Sequence, residues 1–285
     1  MNAAQDIRAI ESLLAFWSEG GVDACLLEAP VDRLAERPAA LKRSSAQSAT
    51  QTAPQALPPD GAAAPAPFRA APAQRLAPDL AIALDQARAL AAAAQTLAEL
   101  EAAIAAFDGC GLKFEGAKRA VFARGAGDAP VMIIGEGPGA EEDAQGAPFV
   151  GRAGKLLDKM LAAAKLDGRV FITNTVFWRP PGNRTPSPAE QMVCAPFLQR
   201  AIALVGPRLL LLAGGAAAKS VLKREEGILS LRGRWFDWSS EDGALGLPAM
   251  PTLHPAFLLR QPAAKKRAWQ DLLTLTERLD RPERS

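Results

Sequence analysis

Apolar and polar positions change rhythm along this chain, and the change divides it. Ile7, Ile10, Leu13, Leu14, Phe16 and Trp17 recur at helical spacing before Gly20 and Gly21, so a short amphipathic helix is expected over residues 3–18. An apolar stretch follows at 22–27. From about residue 36 to 75 the chain is Ala, Pro, Ser, Gln and Thr with almost no large apolar side chain. Such a segment cannot bury enough surface to offset its ordering entropy, and a disordered linker is expected there. Residues 78–106 return to helical spacing as one or two helices, closed by Gly109, Cys110 and Gly111.

From Ala129 onward short apolar runs alternate with helical patterns. Strands are expected over 131–134, 170–173, 209–213 and 249–253, and helices over 155–164, 189–205, 216–222 and 263–279. Ser187-Pro188-Ala189-Glu190 is a helix start: Ser caps, Pro fits the first turn, and Glu completes a capping box. Pro196 is expected to kink or split that helix. The alternation predicts an α/β fold, a three-layer domain over 107–280 whose central, mostly parallel four-stranded sheet is flanked by helices. A helical lead-in over 76–106, the linker over 36–75 and an N-terminal helical segment over 1–35 precede it.

Composition sharpens this picture in a few places. The chain has 285 residues and is 49% hydrophobic, a figure inflated by the alanines before residue 110. Net charge is only +2, so any nucleic-acid surface must be local. The three cysteines, Cys25, Cys110 and Cys194, are too few and too widely spaced for a disulfide framework, which favours a reducing compartment. The start of the chain lacks a basic segment followed by an apolar run, and no stretch reaches about 18 uncharged apolar residues. Neither a secretory signal nor a membrane span is expected, and cytoplasm is the expected location. The single histidine, His254, and the absence of tyrosine exclude a histidine-rich metal site and any triad needing two histidines.

The unusual residues follow the strands. Gly135-Glu136-Gly137-Pro138-Gly139 comes after the first, Asn174 and a proline-rich loop to Pro186 after the second, Gly214-Gly215 after the third, and His254-Pro255 after the fourth. Ligands of open α/β sheets bind beyond the carboxyl ends of the strands, so a parallel sheet would bring these loops into one site. The first loop fails G-x-G-x-x-G, which argues against a dinucleotide site.

In this order, the stretches GEGPGAEEDAQGAPFVGRAGKLLD (135–158), ITNTVFWRPPGNRTPSPAE (172–190) and LHPAFLLRQP (253–262) resemble family 4 uracil-DNA glycosylases and their bacterial relatives, from about Asp108 to Leu275. The resemblance implies base excision repair: a uracil nucleotide is flipped from DNA and its N-glycosidic bond hydrolysed, leaving an abasic site. It implies uracil-containing DNA as partner and use at the nucleoid; a monomer is expected.

The resemblance also assigns roles, each with a structural alternative. His254 would donate to uracil O2 as charge develops there; alternatively it caps a strand end. Asn174 would read the N3–H and O4 edge, or close a turn. Phe149 would stack beneath the base, or fill the core. Gly135 and Gly137 would let backbone approach the uracil, and Glu136 would place the water or hold its loop. Gly137 stands where some other glycosylases carry Asp, which leaves open the group that orients the water. Arg179, Asn183, Arg184 and Thr185 would hold phosphates. Leu258, with Phe257, Leu259 and Arg260, resembles the loop that wedges into the gap left by the base, with the inserting residue left open; alternatively these leucines start the last helix and face the core. Glu141, Glu142 and Asp143 fit a helix start better than a metal site.

The family's [4Fe–4S] cluster needs four thiolates. Cys110 and Cys194 match two ligand positions, but Phe107 and Trp178 stand at the others. The cluster is therefore expected to be absent or degenerate, with the two rings packing as an apolar plug and no metal required for the chemistry. A non-catalytic protein that binds uracil-containing or single-stranded DNA is the alternative. A hydrolase of another α/β class lacks support, since neither G-x-S-x-G nor a P-loop is present. The N-terminal helix has no catalytic signature and is expected to tether a protein partner.

Overall fold

The computed structural model describes residues 80–281. The helix expected over 3–18, the linker over 36–75 and Cys25 lie outside the described residues. In chain order the elements are α1 (Leu80–Ala93), α2 (Leu97–Ala106), β1 (Ala123–Gly125), β2 (Val131–Gly135), α3 (Ala140–Gln145), α4 (Arg152–Ala163), β3 (Val170–Asn174), α5 (Pro188–Val205), β4 (Leu209–Ala213), α6 (Gly215–Leu222), α7 (Ile228–Leu231), β5 (Phe236–Ser239), β6 (Gly246–Thr252), α8 (Pro255–Arg260) and α9 (Lys265–Asp280).

The sheet runs β1-β3-β2-β4-β6-β5. Its four central strands are parallel, as the sequence suggests. Two edge strands, β1 and β5, pair antiparallel with β3 and β6 and enlarge the expected four-stranded sheet to six. Successive residues of a strand point to opposite faces, and here both faces are covered. Met132, Ile134, Phe171, Leu210 and Leu212 pack into one cluster with α1, α2 and α5. Val131, Ile133, Val170, Ile172, Leu209 and Leu211 pack into another with Leu157 and Leu161 of α4 and Leu272, Leu275 and Leu279 of α9. Burial on both sides is why these strands read as unbroken apolar runs. Each buried aliphatic side chain contributes roughly 1.5–3 kcal/mol.

The capping box at the head of α5 forms as expected: Ser187 accepts from the Glu190 amide, and the Glu190 carboxylate accepts from the Ser187 amide. The expectation that Pro196 splits this helix is corrected, because α5 runs unbroken to the left-handed Gly206 with Pro196 buried inside it. Among the described residues no helix is long and apolar enough to cross a membrane.

Register fixes what meets at the carboxyl edge. Gly135 lies opposite Asn174, and Ala213 opposite Thr252. The loops after β3, β2, β4 and β6 thus leave the same edge of the sheet.

Candidate active site

The site is assembled outward from the Gly135–Asn174 pair. A Cβ on Gly135 would lie 2.4 Å from Asn174 Oδ1 and 2.6 Å from the Phe149 ring, so glycine alone leaves room for both side chains. Asn174 is 1% exposed, and its Oδ1 is the one buried side-chain polar atom among the described residues without a hydrogen-bond partner. An unsatisfied buried acceptor costs about 1–3 kcal/mol. Because Asn174 lines a cavity, that acceptor marks where a ligand's donor would sit.

Phe149 is also lined up on this cavity. Its φ is +55°, a left-handed conformation that costs a non-glycine residue roughly 1–3 kcal/mol. The surroundings enforce it. Its carbonyl lies so close to Gly154 that a Cβ there would be 1.7 Å away. Glu142 Oε1 accepts from the Val150 and Gly151 amides at 3.0 Å each, and its Oε2 accepts from the Gly139 amide at 3.1 Å. Glu142, with Glu141 and Asp143, sits in the first turn of α3, as a helix-start reading expects. It also ties the glycine loop to the loop bearing Phe149, a role the sequence reading missed. Its signal was the G-x-x-E spacing from Gly139, where the carboxylate caps the helix.

His254 caps the N-terminus of α8, its Nδ1 accepting from the Ala256 amide at 3.1 Å. That bond fixes the neutral tautomer with its proton on Nε2. Burial lowers its pKa to about 4; the nearby Arg260 guanidinium pushes the same way and Glu142 opposes. At neutral pH the imidazole is therefore an uncharged donor. Capping and donation use different ring nitrogens, so the structural and functional readings of this residue are compatible. Gly214, at φ +102°, lets the imidazole pack close: a Cβ there would lie 3.0 Å from His254 Cβ.

Glu136, Gly137, Phe149, Asn174 and His254 all line one cavity of about 520 Å³, within the range of small-ligand sites. Asn183, Arg184, Thr185 and Arg260 also line it. Gly135 lies behind Asn174 and Phe149. The Glu136 carbonyl accepts from the Thr175 hydroxyl at 2.6 Å, which anchors the glycine loop to the end of β3.

Two expected DNA contacts sit elsewhere. Leu258 is fully buried against Leu253 and Ala268, so in α8 it takes the core-facing alternative, while Leu259 and Arg260 face outward. Arg179 is outside the cavity wall and donates to Asn183 Oδ1 at 2.7 Å. Arg184 lines the cavity but is held by Glu190 and Glu115. Its bond to Glu190 is the main cause holding that carboxyl below its ordinary value.

A further network missed from sequence supports the His254 loop. Asp271 accepts from the Thr252 hydroxyl at 2.7 Å and pairs with Arg232, tying α9 to the end of β6. An acid on the apolar stripe formed by Ala268, Leu272, Leu275 and Leu279 was its signal.

Residues 122–273 match the model of the uracil DNA glycosylase superfamily, and the chain belongs to that family. The family is one of DNA glycosylases, hydrolases of N-glycosyl bonds. The type-4 uracil-DNA glycosylase of Thermotoga maritima is 40% identical over 135 residues, which cover 47% of this chain and 68% of that one. Those of Pyrobaculum aerophilum and Saccharolobus solfataricus are 38% and 36% identical over 160 and 170 residues. These matches cover 54% and 57% of this chain, and 81% and 77% of the relatives.

Type-4 enzymes typically carry an iron–sulfur cluster, and the residues here do not fit one. Cys110 and Cys194 are fully buried and interact with each other, which lowers the Cys110 thiol, while burial pushes the Cys194 thiol well up. Phe107 and Trp178, at the other two ligand positions, pack with ring centroids 6.5 Å apart, and Phe107 meets Phe197 edge-on at 5.2 Å. Among the described residues no group of three or more Cys, His, Asp or Glu could hold a metal.

Proposed function

We propose that this protein is a uracil-DNA glycosylase acting in base excision repair. The observation that carries the reading is the unsatisfied Asn174 Oδ1 in a cavity that also presents the neutral donor of His254. Uracil offers an N–H donor at N3 flanked by acceptors at O2 and O4. Asn174 Oδ1 accepts from N3–H while its amide donates to O4. Cytosine presents the opposite polarity on this edge and would leave both groups unpaired, at a cost of about 1–3 kcal/mol each.

The nucleotide reaches this site only by leaving the stack, which costs roughly a few kcal/mol. Stacking of the base on Phe149 offsets about 1–3 kcal/mol. As the bond between C1′ and N1 lengthens, electrons move onto the uracil ring. The His254 Nε2–H donates to O2, where that charge collects, a stabilisation of roughly 3–4 kcal/mol in comparable sites. Water adds to the cation-like C1′ and releases a proton to solvent, giving an abasic sugar, and the uracil anion takes up a proton from solvent. Glu136 lines the cavity with its carboxylate not committed to backbone as that of Glu142 is, and it is the group proposed to place the water. Arg184, Thr185 and Arg260 are proposed to meet flanking phosphates, with Arg179 and Asn183 shaping their loop. No step needs a metal, and the protein is proposed to lack the cluster.

The test is a labelled oligonucleotide with one uracil, incubated with protein and cleaved with alkali. Wild type should give an abasic product. His254→Ala and Asn174→Ala should each slow it by about 100-fold or more. Equal cleavage by all three would remove the assignment, and tight binding without product would show a binding protein of the same fold.

A further inference from the structure

We infer that Arg124, on the edge strand β1, is a positioning residue that holds Phe149 in its left-handed conformation and so sets its ring into the cavity wall. The inference rests on the reading of Phe149 as the ring beneath the flipped base. Arg124 Nε donates to the Pro148 carbonyl at 2.8 Å, and Nη2 donates to the Phe149 carbonyl at 3.1 Å. The same Nη2 pairs with Asp158 of α4 at 2.6 Å, which fixes the direction of the fork.

These bonds act on the peptide units that flank Phe149. The peptide joining it to Val150 is gripped at both ends: its carbonyl accepts from Arg124 and its N–H donates to Glu142. A positive φ on a bulky residue persists only where the surroundings over-determine it. Gly154 leaves space for the Phe149 carbonyl but supplies no attraction. Arg124 supplies the attraction, and only a planar fork spans two adjacent carbonyls and a carboxylate together. Without it, the Pro148 and Phe149 carbonyls lose their donor. The backbone then relaxes toward negative φ and the ring turns from the face it shares with His254. Arg124 touches neither base nor sugar on this account; its effect passes through Phe149.

A double-mutant cycle separates this role from general support of the fold. Arg124→Met, Arg124→Lys, Phe149→Ala and the two doubles are compared for kcat/KM on the uracil oligonucleotide and for inhibition by free uracil, with thermal unfolding measured alongside. Arg124→Met should lose roughly 10- to 100-fold in kcat/KM in the wild-type background and less than about threefold in the Phe149→Ala background. Uracil inhibition should weaken in parallel. Arg124→Lys, which keeps a charge for Asp158 but not the fork, should fall between wild type and Arg124→Met. It carries the cycle alone if Arg124→Met does not fold. Equal losses in both backgrounds, or none in either, would overturn the inference. Full activity of Phe149→Ala would instead overturn the reading of that ring, a separable result.

Discussion

The ring of Phe149 and the imidazole of His254 stand 5.5 Å apart, centroid to centroid, with their planes inclined by 31°. The two residues are more than a hundred positions apart in sequence, on a loop before α4 and at the head of α8. Each is held by backbone bonds rather than by the other: Phe149 through Arg124 and Glu142, His254 through the Ala256 amide. A site built this way is rigid before any ligand arrives, and rigidity is what electrostatic stabilisation of a transition state needs.

His254 titrates low because it is buried, and that sets a pH profile. kcat/KM should show no limb at the ordinary histidine value near 6.5 and a limb near pH 4. Folding follows the same linkage. The unfolded imidazole takes a proton below about 6.5, whereas the folded one does so only near 4. Its contribution to stability is therefore complete above 6.5 and lost progressively as pH falls toward 4. Urea midpoints of wild type and His254→Asn measured from pH 7 to 4.5 check this, and the variant should lose less stability over that window.

Gly135→Ala should be nearly inactive while still folded. Its Cβ would press on Asn174 Oδ1 and on the Phe149 ring at once, and neither is the end of a flexible chain. Overpacking of this kind costs about 1–3 kcal/mol of stability. Displacing two base-contacting groups should cost roughly 100-fold in kcat/KM. Thermal unfolding and the cleavage assay, run on one preparation, measure the two effects separately.

Protein purified from iron-replete cells should contain no stoichiometric iron and show no broad visible absorbance band, and chelators should leave its activity unchanged. Phe107→Ala should lower stability by about 3–5 kcal/mol, because the ring packs against Trp178 and Phe197. A full cluster per chain would refute this.

How much of this was legible depended on whether neighbours in sequence carried the signal. The parallel strands were legible because burial on both faces leaves uninterrupted runs such as Val131 to Ile134 and Leu209 to Leu212. Strand β1 was not: it is three residues long, only partly buried, and contains Arg124 and Gly125. Strand β5 likewise has one buried residue, Trp238. The lining residues Glu136, Phe149, Asn174 and His254 were legible because each lies at or near a strand end or in a motif of unusual composition. Glu142 was not, since any acid in the first turn of a helix satisfies the dipole, and only the fold brings Val150 and Gly151 back to it. Which leucine of this stretch faces the core was not legible, because α8 is six residues long, too short for periodicity to decide.

The unpaired acceptor Asn174 Oδ1 can be probed by calorimetry, through the affinity of the protein for free uracil and for 3-methyluracil. Methylation at N3 replaces the donor that Asn174 Oδ1 is proposed to receive with a bulkier apolar methyl group. Uracil should bind, and 3-methyluracil should bind at least about tenfold more weakly. Equal affinity for the two would contradict the account.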